Sequence, residues 1–333
     1  MSESRLRYIQ CGLGPIGCGI VRAAAGNPRL ELVGAVDLAP DKVGKDVAEV
    51  ADLPQSTGVT IVASMDEAPE ADIVLHSTAS HLPQIGPMLK RFIEMGLDCI
   101  STAEELTWPW LRAPELADEL DALAQEKGVR LLGSGINPGF VMDVLPMLLT
   151  LPCGRVDKVI ARRIVDTGTR RPQLQAKTGI TLTEREYRER AEKGAVGHVG
   201  LPESVALLAA GLGWPWDEVT ETIEPILTNE PVDTHHFSVR EGHVIGGRQT
   251  AVCIADGVER IRLELEMSAG ASDPHDAVEI EGDPSFSLRI DGGIPGDQAT
   301  PAVVINIVDS LMAAKPGLLT AKDVIVPRWQ VRS

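Results

Sequence analysis

The chain has 333 residues, a formal net charge of −17, and 44% hydrophobic against 24% charged residues. That is a globular composition, and the length exceeds what one hydrophobic core usually fills, so two domains are expected. So acidic a surface repels phosphate backbones and anionic lipid, which argues against nucleic-acid and membrane partners.

The N-terminal stretch MSESRLRYIQ lacks an apolar signal core, and no apolar run reaches membrane-spanning length; a cytoplasmic location is the expectation. Cys11, Cys18, Cys99, Cys153 and Cys253 are scattered, mostly within apolar runs, with no C-x-x-C spacing. That usage suits reduced, buried thiols and predicts no metal site.

In chain order, RLRYIQCGL reads as a strand, followed by a glycine turn and a helix through PIGCGIVRAAAGN. ELVGAVD, VTIVAS and ADIVLHST read as strands two to four. A helix over 82–96 leads to DCISTA, and a helix over 113–128 leads to VRLLGSG. Strands alternating with helices predict right-handed βαβ units on a doubly wound parallel sheet, an α/β Rossmann domain over residues 1–140.

After Phe140 the pattern changes. Residues 157–166, 234–257 and 259–270 read as longer strands that alternate apolar and polar positions, as in an antiparallel or mixed sheet with one covered face. Helices are expected over 184–194 and 202–214, and a last one over 300–317, closed by Pro316-Gly317. An α+β substrate domain over 141–297 is the reading. His235, His236 and His275 have no metal-ligand partners at a telling spacing and are expected on exposed strands or loops.

The strongest motif is Gly12-Leu13-Gly14-Pro15-Ile16-Gly17, between the first strand and first helix. Gly12 permits the tight turn, Gly14 lets the backbone approach a pyrophosphate, and Gly17 lets helix and strand pack closely. The helix N-terminus then offers N–H groups and a positive dipole end to phosphate. Asp37, closing the second strand 20 residues after Gly17, is placed to accept from ribose hydroxyls and to repel a 2′-phosphate. NAD(H) is therefore the expected cofactor. Lys42 and Lys45 in the next loop can tolerate a phosphate, which leaves NADP(H) open.

Ligands of open α/β sheets sit beyond the carboxyl ends of the strands. Ser77 and Thr78, closing the fourth strand, are therefore candidates to contact the cofactor, with His76 and His81 weaker ones; a polar connecting loop is the alternative. Ser101-Thr102-Ala103-Glu104-Glu105 closes the fifth strand on the same edge. A carboxylate there could take the proton of an ammonium group; one or both could instead be helix N-terminal acids. Ser134 to Phe140 closes the sixth, with Asn137 holding the turn and joining the cofactor contacts. Phe140, Trp108, His198 and Thr178 are candidates to line a substrate pocket. Each has a plain packing role as its alternative.

GLGPIG, STAEEL, GINPGF followed by MDVLP, GHVGLPES and GDQAT…VVINIV together resemble the 2,4-diaminopentanoate dehydrogenase family, which includes native amine dehydrogenases and is distantly similar to dihydrodipicolinate reductase. The resemblance covers nearly the whole chain. It implies a Rossmann domain, a β-rich substrate and dimerisation domain, a C-terminal segment (298–333) that returns to the first domain, and a homodimer. It also implies NAD(P)-dependent interconversion of an amine with a ketone or aldehyde plus ammonia. The family's catalytic glutamate maps onto STAEEL and is placed at Glu104, with Glu105 in reserve. A reductase of C=N or C=O bonds that uses no free ammonia is the enzymatic alternative, and a cofactor-binding regulatory protein the non-enzymatic one. Arg162, Arg163, Arg170, Arg171 and Lys177 are available should the substrate carry a carboxylate.

Overall fold

A computed structural model of the chain describes residues 5–170 and 172–324. The described residues up to Phe140 and from Pro295 onward form one compact unit, and Val141–Ile294 form the other.

The first unit opens with β1 (Leu6–Cys11), α1 (Pro15–Ala24), β2 (Leu30–Val36), α2 (Val47–Ala51), β3 (Ile61–Val62) and β4 (Ile73–His76). It continues with α3 (Leu82–Glu94), β5 (Asp98–Ser101), α4 (Pro114–Lys127) and β6 (Arg130–Gly133). In the second unit follow α5 (Val144–Leu149), β7 (Arg155–Asp166), α6 (Pro172–Lys177), α7 (Glu184–Ala191), α8 (Leu201–Gly211) and β8 (Glu218–Leu227). Then come β9 (Val232–Asp233), β10 (Ser238–Val239), β11 (Val244–Ala255), β12 (Val258–Ser268), β13 (His275–Asp283) and β14 (Phe286–Asp291). The chain re-enters the first unit with α9 (Gly296–Met312) and β15 (Gly317–Leu319).

The first sheet has the order β15-β6-β5-β4-β1-β2-β3, with every named pair parallel. Both faces of a parallel sheet are covered, so its strands read as apolar runs rather than alternations. Ile9, Val74, Cys99 and Leu131 pack under α3 and α4. Tyr8, Leu75, Ile100 and Leu132 pack under α1 and α9. The strand order reverses between β1 and β4, which is where a crevice opens at the carboxyl edge.

The second unit holds a six-stranded mixed sheet, β14-β13-β7-β12-β11-β8. Only the β7–β12 pair is parallel; the other four pairs are antiparallel. One face carries Ala161, Ala251, Cys253, Leu263 and Leu265, all buried, and α8 packs on this sheet. The opposite face is a mixed-charge ladder in which Arg162 pairs with Glu264 and Glu279, and Arg262 with Glu259.

Several boundaries differ from the reading of the sequence. The stretch 234–257 is not one long strand. The Thr234 hydroxyl accepts from the N–H groups of His236 and Phe237 at 3.2 and 2.9 Å, a side-chain-held turn, and the main ladder begins only at Val244. Strands β8, β13 and β14 were not anticipated. Pro225 disguises β8, yet a proline is tolerated because this is an edge strand. His275 is not exposed: it opens β13, is buried, and holds its Nδ1 at 2.7 Å from the Asp273 carbonyl. The final helix starts at Gly296 and ends at Met312, so Pro316-Gly317 leads into β15 instead of closing the helix. The division between the units falls after Ile294 and not after residue 297.

Candidate cofactor and catalytic site

The glycine turn leaves β1 at Gly12, whose φ of +86° favours glycine. A Cβ there would lie 2.6 Å from the Ser77 carbonyl oxygen, and one at Gly17 would lie 1.9 Å from the Gly12 carbonyl oxygen. Gly14, by contrast, has no atom within 4 Å of where its Cβ would be. The outer side of the turn is therefore clear for a ligand, while the inner side is closed by packing. Gly14 is the N-cap of α1 and provides no side-chain cap, so the first-turn amides keep their capacity to donate.

Gln10 was not singled out from the sequence, although a glutamine inside an apolar strand was the available signal. It is fully buried, and its Nε2 donates to the Gly12 carbonyl at 2.9 Å and to Ser77 Oγ at 3.1 Å. Ser77 Oγ in turn donates to the same carbonyl at 3.1 Å. Two side chains thus hold the turn from strands β1 and β4.

Asp37 Oδ2 accepts from the Leu13 N–H at 2.7 Å and from Lys42 Nζ at 2.9 Å, and Oδ1 accepts from the Ala39 N–H at 2.9 Å. Burial pushes this carboxyl up, but the bonds from Ala39, Lys42 and Leu13 outweigh it and hold the pKa below the usual value. The residue is an anion at neutral pH. Lys45, on the same loop, is exposed.

The ends of β4 and β5 are joined by His76, which is fully buried between Ser101 and Thr78. Burial lowers its pKa to about 4, so the ring is neutral.

Beyond β5 the chain makes one tight 3-10 turn over Glu104–Thr107. The turn packs so closely on β6 that a Cβ at Gly133 would be 2.4 Å from the Leu106 carbonyl carbon. This turn separates the two adjacent acids. Glu105 points inward: its Oε2 accepts from the Leu82 N–H at 2.7 Å, capping α3, and its Oε1 lies 2.8 Å from His81 Nδ1. Glu104 is half-buried and makes no hydrogen bond or ion pair among the described residues.

At the end of β6, Ser134 Oγ and Asn137 Oδ1 are buried without a hydrogen-bond partner among the described residues. Stranded buried oxygens at a sheet edge call for a polar ligand. An open glycine turn, an ionised Asp37 and these two oxygens share one carboxyl edge, and together they fit a dinucleotide.

The predicted pocket residues divide between the units. Trp108 packs on Trp110 at 5.5 Å, with Lys322 Nζ 5.9 Å from its ring centroid. Phe140 is half-buried at the end of the first unit's main segment. In the second unit, Thr178 is buried and donates to the Gln175 carbonyl at 2.7 Å. The Gly197 N–H donates to the Lys177 carbonyl at 3.2 Å, which brings the Thr178 and His198 loops together. Gln249, also missed from the sequence, grips His198 from both sides of its peptide, accepting from its N–H at 2.6 Å and donating to its carbonyl at 3.0 Å.

Of the five cations considered for a substrate carboxylate, Arg162 is held by Glu264 and Glu279. Arg163 is buried against Asp276 with both contacts at 2.8 Å. Arg170 and Lys177 carry no ion pair among the described residues, and Arg171 lies outside them.

The fold and this edge are those of a dinucleotide-binding domain of Rossmann type. Residues 140–332 match the 2,4-diaminopentanoate dehydrogenase C-terminal domain. The chain is 30% identical over 334 residues to a 2,4-diaminopentanoate dehydrogenase of Acetoanaerobium sticklandii, covering 97% of this chain and 94% of that one. It is 25% identical to an amine dehydrogenase of Streptomyces virginiae, covering 94% of each. Its fold is similar to that of an amine dehydrogenase from Mycobacterium smegmatis, with a TM-score of 0.87 at 22% identity over 98% of both chains. The chain belongs to the 2,4-diaminopentanoate dehydrogenase family, whose named members are dehydrogenases of amines.

Proposed function

We propose that this protein interconverts a small amine with its ketone or aldehyde plus ammonia, and that Glu104 is the acid–base group. The observation that supports this is the division of labour between neighbouring acids. Glu105 is taken up by the α3 N-terminus and His81, whereas Glu104 keeps its carboxylate uncommitted among the described residues.

When bound, the nicotinamide ring supplies the hydride acceptor in deamination and the donor in reductive amination. The glycine turn, Asp37, Ser77, Thr78 and Asn137 are the residues we assign to holding the cofactor. Only a neutral amine gives up hydride readily, so Glu104 takes the ammonium proton first. It passes that proton to solvent, and the restored carboxylate stabilises the iminium that develops on the substrate carbon. The same carboxylate then removes a proton from the water that attacks the iminium. In the reverse direction it assists addition of ammonia and loss of water. Phe140, Trp108, His198 and Thr178 are assigned to substrate selection, read as changes in KM when each is replaced by alanine.

NAD(H) is the preferred cofactor on this reading, since an ionised Asp37 repels a 2′-phosphate. Lys42, paired with Asp37 at 2.9 Å, offsets part of that repulsion and leaves room for NADP(H). We further assign the chain to the cytoplasm, supported by five unpaired thiols, and to a homodimer, which light scattering at twice the chain mass would show.

The central test compares Glu104→Gln with the wild type. NADH binding should be retained while reductive amination falls roughly 10²–10⁴-fold. Retained turnover sinks the assignment, and loss confined to Glu105→Gln in a fully folded variant moves it one residue. NADH oxidation that proceeds equally well without ammonium would favour a C=N or C=O reductase instead.

A further inference from the structure

His76 is more than a packed core histidine, because its two ring nitrogens are both engaged and only one assignment of protons satisfies them. Nδ1 lies 2.7 Å from Ser101 Oγ, Nε2 lies 2.6 Å from Thr78 Oγ1, and the ring stands edge-on to Phe92 at 5.9 Å. Burial keeps the ring neutral near pH 7, so it has one donor and one acceptor. Ser101 is fully buried and its Oγ already accepts from the Ala103 N–H at 3.1 Å. Among the described residues its own hydroxyl hydrogen has no acceptor except His76 Nδ1.

Were Nδ1 protonated, the serine hydrogen would be stranded in the interior, which costs more than a single hydrogen bond returns. With Nδ1 bare, Ser101 donates to it, Nε2–H donates to Thr78 Oγ1, and every buried group is satisfied. Thr78 is exposed, and in this arrangement its hydroxyl accepts inward and keeps its hydrogen free to donate outward. It also sits over the glycine turn, where its Cγ2 would be 2.9 Å from a Cβ on Gly12.

We infer that His76 is locked as the Nε2–H tautomer and thereby keeps the Thr78 hydroxyl hydrogen available to donate to an oxygen of the bound dinucleotide. His76 is a positioning residue here, acting on the cofactor through Thr78. The inference rests on the cofactor half of the proposed function and is independent of Glu104. The accepting oxygen belongs either to the pyrophosphate or to the nicotinamide carboxamide, and the two sources separate on binding data.

The experiment measures dissociation constants for NADH by fluorescence and for ADP-ribose by calorimetry. Thr78→Val should weaken NADH roughly tenfold, and Thr78→Ser should bind as the wild type does. His76→Asn leaves an acceptor for Ser101 but cannot reach Thr78; it should match Thr78→Val, and the double variant should be no weaker than either single one. Equal losses for both ligands place the acceptor on the pyrophosphate, and a loss for NADH alone places it on the carboxamide. Unchanged NADH affinity in Thr78→Val, additive losses in the double variant, or a wild type that binds no NADH overturns the inference. Should His76→Asn fail to fold, nitrogen NMR of the wild-type ring decides the tautomer: a bare Nδ1 is expected, and a protonated one overturns it. A wild type that binds NADH without deaminating amines would defeat the proposed activity and leave this inference standing.

Discussion

Single side chains at the carboxyl edge carry opposite electrostatic tasks. Asp37 is kept charged by three donors, two of them backbone amides. Replacing it by serine removes the repulsion of a 2′-phosphate and leaves Lys42 unpaired. Asp37→Ser should therefore shift the ratio of kcat/KM for NADPH over NADH upward by about ten- to a hundredfold, measured at constant salt. His76 is kept neutral instead, with its pKa lowered from 6.5 to about 4 by burial. Between those values the unfolded chain binds the proton and the folded one does not, so stability declines as pH falls from 6.5 to 4 and is fully present above 6.5. The contribution is at most about 3 kcal/mol. Urea unfolding at pH 7.5 and pH 5 should show this decline in the wild type and a flatter profile in His76→Asn.

At the level of elements, what was legible depended on periodicity. The apolar runs of β1, β4, β5 and β6 and the long helices α3 and α4 stand out because each is regular over its whole length. β8 does not, because Pro225 contradicts the alternation that surrounds it, and only its edge position explains why the strand survives. Helix α7 and strand β11 meet a constraint that spacing could not reveal. Tyr187 on α7 is buried with its hydroxyl directly over Gly247 of β11, where a Cβ would approach to 2.0 Å. Gly247→Ala should therefore cost about 1–3 kcal/mol through overpacking. Removing the clashing atom with Tyr187→Phe in the same chain should recover part of the loss in thermal unfolding, and additive destabilisation would refute this account.

Across the whole molecule, the last described helix completes the first unit. α9 supplies Val304, Ile305, Ile307, Val308 and Leu311 to the face that holds Tyr8, Ile20, Leu75, Ile100 and Leu132. A chain ending at Ile294 would open that face to water, at roughly 1.5–3 kcal/mol for each large side chain left uncovered. Summed over those five residues this is comparable to ordinary folding stability, so the truncated chain should be insoluble or fail to bind NADH, whereas a soluble product with intact binding would contradict this role for α9.

The glycine turn, the acid at the end of β2 and the polar closures of β4, β5 and β6 were all visible in the sequence, because each is a local pattern next to a regular strand. The family likewise followed from several short motifs in order along the chain. Tertiary structure alone decided which of Glu104 and Glu105 is without a partner among the described residues, since neighbours in sequence diverge once the 3-10 turn docks on Gly133 and the α3 N-terminus claims one of them. It also decided that Gln10 and His76 hold backbone and hydroxyl groups at the carboxyl edge of the first unit, and that Gln249 holds the His198 backbone in the second. Their partners Ser77, Ser101 and His198 lie 67, 25 and 51 residues away, and distance in sequence says nothing about which buried polar atoms must find each other.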